Sequence, residues 1–230
     1  YGARAAAGVI LIETYRGTKS KPKITFSAYW GVDQIAKKLD VCNAEEFIHM
    51  AKMARTNAGQ NPKNWPAYIA AYEQDPTQFG DTDWQDEYYR NGFTQKYNVG
   101  YTSGSENANV ALSVFYSKNE AIVTGTGDEK YGFRLNSDMK INKWVKLGID
   151  ASVRQANATS PVMDSPANII GKALTMTPIM SGINADGTYG YGINGTNPIA
   201  MVRTGCTSNS TAPEYIIKTS LTITPLKGLS

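Results

Sequence analysis

The sequence lacks most of what marks an enzyme or a nucleic-acid binder. It has one histidine, His49, and two cysteines, Cys42 and Cys206, in 230 residues. There is no Gly-x-Ser-x-Gly nucleophile motif. Gly2 and Gly8 are too far apart for a dinucleotide fingerprint, and no strand precedes them. A net charge of +3, with Lys and Arg scattered, gives nucleic acid no basic patch to read. No catalytic residue, metal ligand or cofactor is therefore expected. The acidic run Asp81, Asp83, Asp86 and Glu87 has neither EF-hand spacing nor its central glycine, so a solvated or hydrogen-bonded loop is expected. Cys42 and Cys206 leave two readings open, a disulfide in an oxidising compartment or two free thiols. No apolar run approaches the roughly 18 residues of a spanning helix. Spanning strands are untouched by that absence, since each needs only about 10 residues of alternating pattern.

Alternation is what the sequence does have. Tyr131, Phe133, Leu135, Met139 and Ile141 alternate with Gly132, Arg134, Asn136, Asp138 and Lys140. Val145, Leu147, Ile149, Ala151 and Val153 alternate with Lys146, Gly148, Asp150, Ser152 and Arg154. Successive strand side chains point to opposite faces, so this is a two-faced hairpin. The pattern recurs around residues 24–33, 96–102, 109–117 and 215–224, with Phe115 and Ile216 as exceptions, which makes six strand candidates.

Connector lengths add a second signal. Long segments, about 34–92 and 156–213, and a medium one from Asn119 to Glu129 alternate with tight turns at Gly104–Asn107 and Asn142–Trp144. In an up-and-down sheet this puts long loops at one end and tight turns at the other, as in outer-membrane barrels. Parity agrees: Ile141 must oppose Val145 across a three-residue turn, and Tyr101 and Val110 need an even one. Within the long loops, Asn43-Ala44-Glu45-Glu46 reads as a helix start followed by Phe47, Met50, Ala51 and Ala54 at helical spacing. Pro166 to Met176 reads as a second helix, and Gly182 to Gly195 as an exposed loop of tight turns. The chain begins at Tyr1 without an initiator methionine and opens within an element, so a piece of a longer protein is expected.

Five segments, in order, resemble one family. Tyr1-Gly2-Ala3-Arg4-Ala5-Ala6-Ala7-Gly8-Val9-Ile10 is similar to the end of the plug domain of TonB-dependent outer-membrane transporters, in the SusC/RagA-like branch of Bacteroidetes. Thr82-Asp83-Trp84-Gln85-Asp86-Glu87, Ser103-Gly104-Ser105-Glu106, the hairpin Arg134 to Gly148, and Asp186-Gly187-Thr188-Tyr189-Gly190 with Asn197-Pro198-Ile199-Ala200 resemble later segments of that family. The resemblance implies an all-β antiparallel transmembrane barrel segment with short helices in its external loops. It assigns residues 1–16 to the last plug strand and 17–230 to the first six or so barrel strands. It also implies a bacterial outer-membrane location among membrane lipids, a glycan or peptide substrate, and a SusD-like surface lipoprotein as lid. TonB drives transport through a contact site outside this chain.

On that reading the aromatics divide. Trp65, Tyr68, Tyr72, Trp84, Tyr88 and Tyr89 of the first long loop, and Tyr189 and Tyr191 of the second, are candidates to contact substrate or lid, against the alternative of packing within the loops. Trp30, Tyr97, Tyr116, Tyr131 and Trp144 suit a girdle at the bilayer interfaces. Arg134, Asp138, Lys140, Lys146, Asp150 and Arg154 would face the lumen. Two rival readings remain: a siderophore or cobalamin receptor of the wider TonB-dependent class, and a soluble β-rich carbohydrate-binding module whose apolar strand faces bury each other.

Overall fold

A computed structural model describes residues 17, 19–162, 165–204 and 207–225. The plug-like segment 1–16 and Cys206 lie outside them, so the last plug strand and the disulfide are not addressed; Cys42 is a half-buried free thiol.

Six strands form one antiparallel sheet in sequence order. They are β1 (Ser20–Asp33), β2 (Gly92–Gly104), β3 (Ala108–Glu120), β4 (Gly127–Lys140), β5 (Val145–Pro161) and β6 (Thr207–Ile223). The connectors 34–91, 121–126 and 162–206 lie at one end of the sheet, and the tight turns lie at the other. At one turn Asn142 Oδ1 accepts from the amides of Trp144 and Val145, and Ile141 N donates to Val145 O across 2.9 Å, closing the three-residue loop. At the other, Ser105 Oγ accepts from the amides of Asn107 and Ala108.

The registers sort the side chains into horizontal rows. One row runs Phe26, Val99, Val114, Phe133, Val153 and Tyr215. The row above it runs Ala28, Tyr97, Tyr116, Tyr131, Gln155 and Pro213. This face is uncovered: Ile24 is 72% exposed, Phe26 68% and Ile217 72%. Such an arrangement departs from the soluble-module expectation, in which a second sheet would cover these residues.

Tyrosines of the upper row link to one another and to side chains further up. Trp30 Nε1 donates to Tyr97 Oη at 2.9 Å, and Tyr116 Oη donates to Glu129 Oε1 at 2.6 Å. At the turn end, Trp144 is exposed with the Lys143 ammonium 5.2 Å from its ring centre. Tyr131 and Ile141 are about ten residues apart, or about 33 Å of strand. Tilted by about 40°, that spans about 25 Å, the height of a barrel's apolar band.

Two strands run further than the alternation shows. β5 continues to Pro161 and β6 begins at Thr207, so the expected loop 156–213 shortens to 162–206. The medium loop shortens to 121–126 in the same way. The extra β5–β6 rungs are polar, held by the ladder and by cross-strand pairs such as Thr159–Asn209 and Thr211–Asn157, so no hydrophobic period marks them.

Phe115, the parity exception, lies on the polar face opposite Gly132. A Cβ at Gly132 would meet the Phe115 ring at 3.0 Å and collide with the Val153 carbonyl. Gly132 therefore gives the ring its place on the wall. Gly132→Val should overpack this point and lower stability by about 1–3 kcal/mol, read as a lower urea midpoint; an unchanged midpoint would refute the packing assignment.

Candidate functional site

Buried side chains concentrate in the connectors rather than against the sheet. α1 (Ala44–Asn57) is capped by Asn43, whose side chain accepts from Glu46 N while Glu46 Oε2 accepts from Asn43 N. Its packed face is Ala44, Phe47, Ile48 and Ala51; Met50, expected on that stripe, is 61% exposed. α2 (Ala67–Gln74) adds Tyr68, Ile69 and Tyr72, and Ile179 of the second long connector completes this cluster. A second cluster joins α3 (Trp84–Tyr88), α4 (Pro166–Thr175) and α5 (Pro198–Arg203) around Trp84, Tyr88, Val123, Ile169 and Ile199.

The segment Thr82–Glu87 is bonded at every residue, in part to its own connector and in part, through Thr82, Trp84 and Glu87, to the second. Thr82 Oγ1 donates to Met180 O, and Thr82 N donates to Pro178 O. Asp83 caps α3 by accepting from Gln85 N. Trp84 is buried and its indole donates to Thr177 O at 3.1 Å. Buried Gln85 grips the Leu39 backbone, donating to its carbonyl at 2.7 Å and accepting from its amide at 2.9 Å. Asp86 pairs with Lys38, and Glu87 accepts from Arg203 at 3.0 Å. Asp81 accepts from Ala44 N at 2.8 Å. Each carboxylate of the acidic run thus has a structural partner.

Asn197 is the matching hub on the other side. Its Nδ2 donates to Gly182 O and Gly190 O, each at 2.8 Å, while its Oδ1 accepts from Ile199 N and Ala200 N at the start of α5. Sequence inspection singled out the aromatics and missed Gln85 and Asn197. Asn197-Pro198 does carry a visible helix-start signature, but the reach of its amide across the loop does not show in sequence.

Burial corrects part of the aromatic set. Trp84 is 3% exposed and Tyr88 0%, so both are loop core and present no surface to substrate or lid. Burial also pushes the Tyr88 hydroxyl pKa up. Tyr89 is half-buried, its ring centre 4.3 Å from that of Tyr88. Trp65, Tyr68 and Tyr72 are half-buried against the α1–α2 cluster. Tyr189 is 38% exposed and Tyr191 80%, and these two stand out from the loop. The turn beneath them has Gly187 at φ +82° and Asp186 accepting from the Thr188 hydroxyl and amide.

Arg134, Asp138, Lys140, Lys146, Asp150 and Arg154 share the polar face, as the registers require. Arg154 pairs with Glu214 at 2.6 Å, and Asp150 lies opposite Lys218.

No protein-family model matches the chain. It is 27% identical over 210 residues to TonB-dependent receptor P3 of Formosa agariphila, covering 87% of this chain and 19% of that protein. It is 25% identical over 224 residues to TonB-dependent receptor SusC of Bacteroides thetaiotaomicron, covering 93% of this chain and 20% of that one. Among solved structures, that of the RagAB peptide transporter superposes with a TM-score of 0.73 at 23% identity, over 99% of this chain and 29% of that one. The RagAB peptide importer in its open-open state gives 0.66 at 22%. The fold is thus an antiparallel segment of an all-β barrel. Within that class the chain is SusC/RagA-like, similar to TonB-dependent receptors, and it spans about one fifth of the length of the curated relatives it matches.

Two outcomes test the loop assembly. Trp84→Ala should remove about 3–5 kcal/mol and open residues 34–91 to limited proteolysis, whereas Tyr191→Ala should leave both unchanged. Protease resistance retained in Trp84→Ala would refute the linkage. The Thr188 hydroxyl and then its amide hold the Asp186 carboxyl below the usual carboxylate range. A depressed folded pKa stabilises above the unfolded value, about 3.9, and that effect is lost as pH falls through the folded value. Exchange of the Thr188 amide, corrected for its intrinsic rate, should hold steady from neutral pH to about 4 and speed up only below.

Proposed function

We propose that this chain is part of a TonB-dependent outer-membrane importer of nutrients, glycan oligosaccharides or peptides, that works with a SusD-like surface lipoprotein. The uncovered apolar face carries this reading. Its bulky residues stay exposed between an upper aromatic row and a lower tryptophan while packing is confined to the loop end. A sheet in water would have to cover such a face; a barrel wall turns it to lipid.

In this arrangement the loop end is external and the turn end periplasmic. Residues 1–16 form the end of the plug, 17–230 the first part of the barrel, and the polar face lines the lumen. Tyr189 and Tyr191 are the aromatics placed to meet substrate or lid. TonB acts through another part of the receptor, and this segment carries no catalysis. The SusC and RagAB likenesses favour this branch over siderophore or cobalamin receptors.

Bilayer depth gives the test. In the complete receptor folded into lipid vesicles, Leu135→Arg near the middle of the band should cost about 2–4 kcal/mol, whereas Tyr131→Arg near the rim should cost about 0–1. Urea unfolding reads both, and equal small effects at the two depths would overturn the reading. Uptake of the cognate oligomer should also stop when either the receptor gene or the TonB gene is deleted.

A further inference from the structure

We propose that the polar wall carries a site for a carboxylate-bearing ligand between Lys23 and Arg134. The inference rests on the importer reading, since this face lines a lumen only in a closed barrel. Two neighbouring rows build the site. One runs from Lys23 on β1 through Thr102 and Ala111 to Asn136 on β4; the next runs from Thr25 through Gly100 and Ser113 to Arg134. The cations stand at the two margins, and the floor is Gly100, Ala111 and Ser113, residues with almost no side chain. The result is a depression of about 290 Å³ lined by both cations and by buried Asn136.

The absence of a lining carboxylate separates these two cations from others on the wall. Arg154 is matched by Glu214 at 2.6 Å and Lys130 by Asp128 at 2.8 Å. Among the described residues, neither Lys23 nor Arg134 has a hydrogen-bond or ion-pair partner. A second depression on this wall, around Lys140 and Lys146, includes Asp138 and Glu106, whereas the lining of this one holds no carboxylate, so its two cations suit a charge that arrives and leaves. Their backbones are three strand spacings apart, about 14 Å, which long side chains span from both margins onto one oligomer.

The chemistry follows from the two head groups. A guanidinium presents a planar fork that fits a carboxylate, and an ammonium adds a point charge. Low-dielectric walls concentrate that field on the path of a ligand, and cationic linings select anions in pores. The substrates selected are therefore oligomers with carboxylates, from uronic-acid sugars or from acidic peptide side chains.

The complete receptor, purified in detergent micelles, tests this by calorimetric titration with trigalacturonate, neutral maltotriose and triglutamate. At least one acidic probe should bind about tenfold or more tighter than maltotriose. The advantage should shrink with added salt and vanish in Lys23→Ala/Arg134→Gln, with an unchanged unfolding midpoint. Whichever acidic probe shows it names the source of the carboxylate. Equal binding of acidic and neutral probes overturns the site. So does a double variant that loosens the plug toward protease while ligand binding is unchanged, because the cations would then serve a plug carboxylate. Loss of TonB dependence in uptake would overturn the importer reading itself, whereas TonB-dependent uptake indifferent to ligand charge overturns the site alone.

Discussion

Backbone hydrogen bonding is the constraint from which the rest of this structure follows. A wall that meets hydrocarbon has no water to take up a stray amide or carbonyl, so each spanning strand must be laddered to its neighbours along its length. The four inner strands are paired in this way on both sides; the one register shift falls at the start of β1, between Ser20 and Lys23, at the turn end. A continuous ladder fixes the period at two, and the period assigns every side chain to one face or the other. Phe115 shows how strict the rule is. A ring on the polar face finds room only because its opposite residue, Gly132, has no side chain.

A wall committed to two unlike solvents cannot also hold the protein's core. Buried apolar side chains therefore collect at the loop end, where helices from different connectors pack on one another. Apolar burial alone would leave those helices free to slide. Directional contacts remove that freedom: Gln85 on the Leu39 backbone, Trp84 on Thr177, Glu87 with Arg203, and Asn197 across Gly182 and Gly190. Trp84, Gln85 and Asn197 are buried with their side-chain polar atoms matched, and matched buried polar groups specify one arrangement where packing admits several.

The wall was readable from sequence because its signal is periodic and local. Residues 131–154 announce a hairpin from the order of their polarities, and parity sets its turn. The upper rungs of β5 and β6 were not readable, since Asn157, Thr159, Ser208 and Asn209 are polar on both faces and only pairing makes them strand. Loop aromatics left contact and packing both open for a different reason. Trp84 and Tyr88 have the same composition signature as Tyr189 and Tyr191, and helix spacing cannot say which face of α3 meets α4 and α5. That knowledge lies in contacts more than 80 residues away in sequence, such as Trp84 to Thr177. The motif Thr82–Glu87 was visible as a resemblance and its acidic run as a solvated or hydrogen-bonded loop, but not the partners: Asp83 caps its own helix, while Asp86 and Glu87 reach Lys38 and Arg203.

Those brackets also pre-order the loop end, where contact through Tyr189 and Tyr191 is proposed. A ring on an isolated loop loses conformational entropy when it binds, and that loss weakens the contact. Tyr189 and Tyr191 sit on a short turned segment fastened at Gly182 and Gly190 by the Asn197 amide, which in turn starts α5 within the buried cluster. Much of the ordering is thus complete before any partner arrives. The same linkage means the first and second long connectors cannot move separately without breaking the Thr82–Met180 and Glu87–Arg203 contacts.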